Sequence, residues 1–384
     1  MKSQQLKLKD QTSWQLDNGE QALSQAQLVL AFMDPALGEA ESLMRALESI
    51  YPKADIIACS SGGEILGTDV VEGSAVATAL AFDKTPTRLA TATVETNADS
   101  FDAGCSLGQQ LAADDLAGLF VISEGLHVNG SELVRGLREH VSQSAIITGG
   151  LAGDGANFGT TRVGVNGPLR PGSIAAVGFY GDSIRLAHGN AGGWEEFGPQ
   201  RRITRASQNV LYELDGKPAL DLYKKYLGDD AKDLPSSGLL FPLKICSSHR
   251  DETAEDHDAV RTILGISEEE QSLTFAGDIP EGENAQLMMG NLENLISGAG
   301  DAAVGATPGW TCASDESVAL LVSCIGRKLL LGQRTAEELE AVADRINGIP
   351  TIGFYSYGEL SPHVASGICE LHNQTMTITL LGEA

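Results

Sequence analysis

Three carboxylates, one thiol and a few histidines stand where apolar runs of this chain give way to glycine, and their types limit the chemistry available to them. Glu64 closes the run Ser60-Ser61-Gly62-Gly63-Glu64, and Glu359 closes Ser356-Tyr357-Gly358-Glu359. As an acid–base pair they lack a nucleophile or an evident partner, so they are read as polar contacts at a shared mouth and not as catalytic groups. Asp154, in Gly149-Gly150-Leu151-Ala152-Gly153-Asp154-Gly155, either orients a ligand amine or hydroxyl or forms an ordinary turn before glycine. The same stretch resembles a phosphate-binding turn, but it has neither the dinucleotide spacing nor a Gly-Lys-Ser/Thr ending, and residues 158–165 read as another strand. Cys324, followed by Ile325-Gly326-Arg327, is either a pocket thiol whose ionisation Arg327 favours or a small buried hydrophobe. No histidine base can be assigned to it, and the chain is read as a non-enzyme.

The seven histidines form no His-x-x-x-His or His-Glu-x-x-His pair, so no multi-histidine metal site is readable. A single axial ligand needs only one histidine, and His188, His363 and His372 are the candidates. His188 ends an alternating segment, with Trp194 and Phe197 beyond it as a possible apolar wall. His249 and His257 fall in an acid-rich stretch read as solvated loop.

The elements that position these groups repeat. Leu28 to Met33 suits a strand buried on both faces; Asp34-Pro35 then reads as a helix start, and Leu37, Ala40, Leu43, Met44, Leu47 and Ile50 form one apolar stripe. A second strand, Ala54 to Cys59, runs into the first glycines. The plan returns from Leu119 to Thr148, through a helix carrying Leu133, Val134, Leu137 and Val141, and again from Val318 to Glu359, through a helix at 336–346. Ser-Gly-Gly-Glu-Ile at 61–65 is echoed by Ser-Tyr-Gly-Glu-Leu at 356–360. Strands leaving through glycine are where open α/β sheets place ligands, so the three corners are expected to converge on one pocket. Between the second and third units, segments 174–179 and 184–188 and the turn Leu214-Asp215-Gly216-Lys217 indicate antiparallel strands, and 228–238 reads as a linker or surface loop.

The balance of 26 basic against 52 acidic side chains, a net charge of −26 over 384 residues, repels phosphate backbones and anionic lipid. Neither a signal peptide nor a membrane-length apolar run is present, and six scattered cysteines without a Cys-x-x-Cys pair suit reduced thiols. The expected setting is the cytoplasm, with no nucleic-acid or membrane partner.

Taken in order, the motifs at 59–65, 149–155 and 209–219, with Ser323-Cys324-Ile325-Gly326-Arg327, Gly353 to Glu359 and Leu371-His372-Asn373-Gln374-Thr375, resemble the FIST family of bacterial sensory proteins. The resemblance implies an α/β fold of mixed sheets, built from strand–helix–strand units with antiparallel additions. It also implies two FIST regions, 28–218 and 219–384, after an N-terminal extension at 1–27, acting together as a small-ligand sensor. The partner would be a sensor histidine kinase, or a diguanylate cyclase or phosphodiesterase. A chain of this length is similar to NosP-type haemoproteins, which implies haem b held by a histidine (His188 as the metal ligand, with His363 and His372 as further candidates) and nitric oxide as the signal. The ligand pocket is expected at Gly62, Gly63, Glu64, Gly149, Gly150, Asp154, Cys324, Arg327, Tyr357, Glu359 and Asn373. The alternative is a non-haem site for an amino acid or similar polar metabolite, with Asp154, Arg327 and Glu359 as its contacts.

Overall fold

A computed structural model describes residues 1–10, 13–16, 21–38, 40–246, 259–363 and 366–384, so His249 and His257 lie outside the described residues. Strand Leu28–Met33 is buried at every position, as its unbroken apolar run requires, and pairs in parallel with Asp55–Ser60. Helix Ala40–Ile50 connects them and buries Leu43, Met44 and Leu47 on one stripe. Asp34 does not cap this helix. It holds the preceding turn, accepting from Ala36 N and Gly73 N at 2.8 Å each. The second unit pairs Leu116–Ser123 with Ile146–Leu151 across helix Gly130–Arg138, whose N-cap Asn129 accepts from Ser131 N and Glu132 N. The third pairs Ser317–Cys324 with Thr351–Ser356, and between them run two short helices, Ile325–Leu331 and Thr335–Ala343, where one was expected. All three expected units are present, each in its own sheet.

A cyclic exchange of strands binds the units together. After Asp55–Ser60 the chain crosses to Glu64–Leu66, which pairs antiparallel with Thr351–Ser356 of the third unit. After Thr351–Ser356 it crosses to Gly358–Pro362, antiparallel to Ile146–Leu151 of the second unit. After Ile146–Leu151 it reaches Val163–Val165, antiparallel to Asp55–Ser60 of the first. Each unit then returns a strand beside its own first strand: Ala75–Ala81, Ser173–Tyr180 and Met376–Glu383. Three six-stranded sheets result, and their inner faces share a core in which Phe32, Phe120 and Phe354 come one from each unit. Phe32 and Phe354 stack at 4.7 Å, and each fully buried ring contributes roughly 1.5–3 kcal/mol of transfer free energy. The N-terminal strand Lys2–Asp10 joins the first sheet, pairing with Ala75–Ala81 and with Ser13–Leu16.

Between strand Ile184–Ala191 and the third unit, an antiparallel sheet of eight strands spans 194–290. It has a core of its own that includes Ile203, Leu211, Tyr223 and Phe275. The hairpin at 210–218 turns through Asp215 (φ 50°) and Gly216 (φ 71°), the two left-handed positions a tight hairpin needs. The 228–238 stretch, expected as a linker or surface loop, carries the largely exposed 3-10 turn Gly228–Asp233 and the start of the 3-10 turn Ser236–Leu240. Of the strand expected at 158–165, only Val163–Val165 pairs. Among the described residues no helix is long and apolar enough to cross a membrane.

Candidate functional site

The three glycine corners do converge, at the centre of the strand exchange, and there they fill the space with one another. Gly62 N donates to Tyr355 O at 2.7 Å and Tyr355 N to Gly63 O at 2.9 Å. Tyr357 N donates to Leu151 O at 3.0 Å, and Gly153 N to Ser60 O at 3.2 Å. A Cβ on Gly149 would lie 1.9 Å from Val121 O, and one on Gly150 would lie 2.5 Å from Val322 Cγ1. Gly149 and Gly150 therefore serve close packing of buried strands and do not cradle a ligand. Gly62, Gly63 and Asp154 border a cavity of ≈ 560 Å³ together with Arg162 and Lys328. Asp154 is largely occupied by its own loop, accepting from Gly159 N and Thr160 N at 2.8 Å and from the Tyr357 hydroxyl.

The Ser-x-x-Glu echo has a physical meaning. Ser61 Oγ donates to Glu64 Oε1, and Ser356 Oγ donates to Glu359 Oε1 at 2.6 Å. Both carboxyls are wholly buried beneath the corners. Burial raises each pKa from 4.5 to about 8, against the opposing pull of the serine hydrogen bonds. Near neutral pH both groups are thus mainly uncharged acids. In Glu359 the carboxyl proton can sit on the Ser356 bond, since Ser356 Oγ reaches Ser323 O at 3.2 Å, while Oε2 accepts from Thr375 N and Oγ1. A raised folded-state pKa gives stability that is complete below the unfolded value of 4.5 and is lost as pH climbs through about 8. The unfolding midpoint of the protein should therefore fall between pH 5 and pH 8. Glu359→Gln, an isostere of the neutral acid, should flatten that slope by about 1.4 kcal/mol per pH unit. Denaturant unfolding at a series of pH values measures this, and parallel slopes for the two proteins would refute it.

Arg327 is not a ligand contact. It is fully buried, with Nε and Nη2 bonded to Glu338 Oε2 at 3.0 and 2.9 Å and Nη2 bonded to Leu295 O at 2.7 Å. Nor does it activate Cys324: desolvation of that buried thiol outweighs the guanidinium and pushes its pKa up, so a reactive thiolate is not available. Asn373 is buried, and its Nδ2 donates to His372 O at 3.0 Å. His363 and His372 stack at 6.4 Å, His188 lies within electrostatic reach of His372, and all three border neither of the two larger cavities described here. Burial holds His372 neutral, with its pKa down at about 4, and its Nε2 is 2.9 Å from Ser361 O. His188 is also held neutral by burial, and its Nδ1 is buried without a partner.

The larger cavity, ≈ 780 Å³, opens between the second unit, the corner of the third unit and the inserted antiparallel sheet. Of the expected pocket residues it takes Cys324 and Tyr357. Among its other polar groups, none of them expected in the pocket, are His127, Asn129 and Glu132 from the loop and first turn after Leu116–Ser123, and Asn209, Thr262 and Asp278 from the insert. Asn129 joins the two sides, its Nδ2 lying 3.2 and 3.4 Å from the Asp278 carboxylate oxygens. Glu124, wholly buried, shapes the loop by accepting from Leu126 N at 3.0 Å, His127 N at 2.7 Å and the Thr161 hydroxyl. Phe158, held at φ 48°, stacks on Tyr357 at 4.7 Å on the wall of this cavity, and Ile325 borders both it and the ≈ 560 Å³ one. The Asn129-Gly130-Ser131-Glu132 cap pattern was the one local signal that could have marked this edge.

Comparison with known proteins gives two family matches whose boundary falls within the inserted sheet. Residues 27–217 match the FIST N domain and residues 219–362 match the FIST C domain. Over 352 residues the chain is 22% identical to uncharacterized proteins from two strains of Mycobacterium tuberculosis, covering 89% of this chain and 87% of each relative. FIST domains are small-ligand sensory domains of signalling proteins. With one match supplying the second unit and the other supplying the third unit and most of the insert around the ≈ 780 Å³ cavity, this chain belongs to the FIST family.

Proposed function

We propose that the protein is a sensor and not an enzyme, and that its small ligand occupies the ≈ 780 Å³ cavity. The observation that carries this reading is the origin of the cavity walls, which come from both FIST regions and meet at the long Asn129–Asp278 contacts, the Phe158–Tyr357 stack and the Asn209–Phe275 hydrogen bond. A ligand that touches both sides biases their arrangement by its differential affinity for the states it joins. A separate histidine kinase, or a cyclic-di-GMP cyclase or phosphodiesterase, reads that difference in the cytoplasm. The net charge of −26 disfavours nucleic acid and anionic lipid as partners.

The histidines first assigned to haem b do not fit it. His372 has its Nε2 against Ser361 O, and His188, despite its unpartnered Nδ1, borders neither large cavity. The sensory reading therefore rests on a non-haem ligand. Thermal-shift screening of metabolites against the native chain and Ala276→Trp, which fills the cavity, tests it. Compounds that stabilise the native protein are expected to lose their effect in the variant, and equal stabilisation of both would place the site elsewhere. Protein expressed with haem supply is expected to show no Soret band. A band abolished by His127→Ala would instead put haem in this cavity, because His127 lines it.

A further inference from the structure

The charged groups on the ≈ 780 Å³ cavity are unbalanced. Glu95, Glu132 and Asp278 line it, and among the described lining residues there is no lysine or arginine. Two of these carboxylates must be discounted. Glu132 pairs with Arg135 on its own helix, and Glu95 is solvent-exposed at the edge. Asp278 is different: among the described residues it forms no ion pair, and its carboxylate takes only the long Asn129 bonds. The buried Arg261 bonds the backbone oxygens of Asp278 and Leu371 and attracts the Asp278 carboxylate electrostatically without an ion-pair contact; Asp278 lines this cavity and also a neighbouring one bordered by Arg135, Arg138 and Arg261. The opposing fields are Arg261 and the N-terminus of helix Gly130–Arg138, the latter equivalent to roughly half a positive charge. The first free N–H groups of that helix are already taken by Asn129 Oδ1 and the Arg261 donors by backbone oxygens, so the Asp278 carboxylate keeps acceptor sites open to a donor in the cavity.

A second, independent feature lies beside it. Thr262 is 5% exposed, lines the same cavity, and its Oγ1 has no hydrogen-bond partner. The Ala276 N–H to Thr262 O bond of 2.9 Å places Thr262 next to the strand end that leads to Asp278. A buried hydroxyl left unpaired is costly unless something else completes it. Leu126, Leu239, Leu264 and the Phe158–Tyr357 stack supply an apolar part of the wall, and His127, Gln208 and Asn209 are further polar groups on it.

Building on the cavity reading above, we infer that the ligand is an organic cation, a primary or substituted amine on an apolar or aromatic body. Its nitrogen sits between the Asp278 carboxylate and Thr262 Oγ1, and its body lies against Tyr357 and Phe158. An ammonium donates to both oxygens, and its charge favours the aromatic faces as well. A carboxylate or phosphate ligand would meet the Asp278 carboxylate with no lysine or arginine among the described lining residues to bind it.

The test uses the full chain and three probes of one shape: 2-phenylethylamine, 2-phenylethanol and phenylacetate. The amine is expected to raise the unfolding midpoint at concentrations about tenfold lower than the alcohol, with phenylacetate inert. Asp278→Asn should remove the preference of amine over alcohol, and the isosteric Thr262→Val should weaken it if the aspartate variant folds poorly. Equal potency of amine and alcohol, greater potency of phenylacetate, or no response to any probe would each overturn the cation assignment. An amine effect that survives in Ala276→Trp would overturn the cavity reading itself, so the two failures are distinguishable.

Discussion

Gly149→Ala is expected to yield no soluble folded protein. The residue sits at φ 142°, a conformation L side chains rarely adopt, and the added methyl would lie 1.9 Å from Val121 O and 2.7 Å from Val121 N. Gly149 is paired in register with Val121 on the neighbouring parallel strand, both strands are buried, and the obstruction is backbone that cannot swing aside. The cost should exceed the ~4–5 kcal/mol at which single substitutions become exceptional. Gly155→Ala is the matched control: φ is 72°, but nothing lies within 4 Å of the new Cβ. It should cost about 1 kcal/mol and leave the yield unchanged. Soluble yield and thermal unfolding of the two variants decide the matter. Recovery of Gly149→Ala with near-native stability would mean that this corner has room for a ligand after all.

That comparison marks what the sequence could and could not reveal. The buried runs at 28–33, 116–123 and 317–324 announced their parallel partners, because a strand covered on both faces must be apolar throughout, and the chain could reach a parallel partner only by crossing over through a helix. The Ser61–Glu64 and Ser356–Glu359 echo was visible as well, and it proved to be one hydrogen-bonded device used twice. The exchange of Glu64–Leu66, Val163–Val165 and Gly358–Pro362 among the three sheets was not legible. Three-residue strands such as Glu64–Leu66 and Val163–Val165 carry no periodicity, and pairing across some 290 residues leaves no local trace. For this reason glycines that let the sheets approach each other were read as a ligand rim. The ≈ 780 Å³ cavity was hidden for a related reason: Asn129, Thr262 and Tyr357 meet only after the insert folds against the exchanged core. Arg327 was misread because a lone arginine after Cys324 looks like a recognition group until its partner Glu338, eleven residues on, is seen to face it.

Arg327→Met should then be among the most damaging substitutions in the protein, for structural reasons. Within the third unit the guanidinium holds Glu338 on helix Thr335–Ala343, and it ties two further elements to that unit: Leu295 O on helix Leu292–Ala306 and Gly192 O at the entry to the insert. Methionine matches the stem but removes every donor. Glu338, 0% exposed, would keep only Ser323 Oγ at 3.2 Å and Tyr355 OH at 2.7 Å, and an unpaired buried carboxylate typically costs about 3–5 kcal/mol. Replacing both charges, as Arg327→Met with Glu338→Leu, should recover a large part of that loss, because desolvation of two ions nearly offsets their attraction in such a setting. The free Leu295 and Gly192 carbonyls set the residual deficit. Denaturant unfolding of the native chain, the single variants and the double variant forms the cycle that measures the coupling. A polar contact for ligand predicts a different pattern, in which Arg327→Met leaves stability unchanged and abolishes only the thermal shift caused by an added ligand. A stability loss that is larger in the single variant than in the double assigns Arg327 to the frame that holds the insert over the cavity, and it leaves ligand recognition to the groups on the cavity wall.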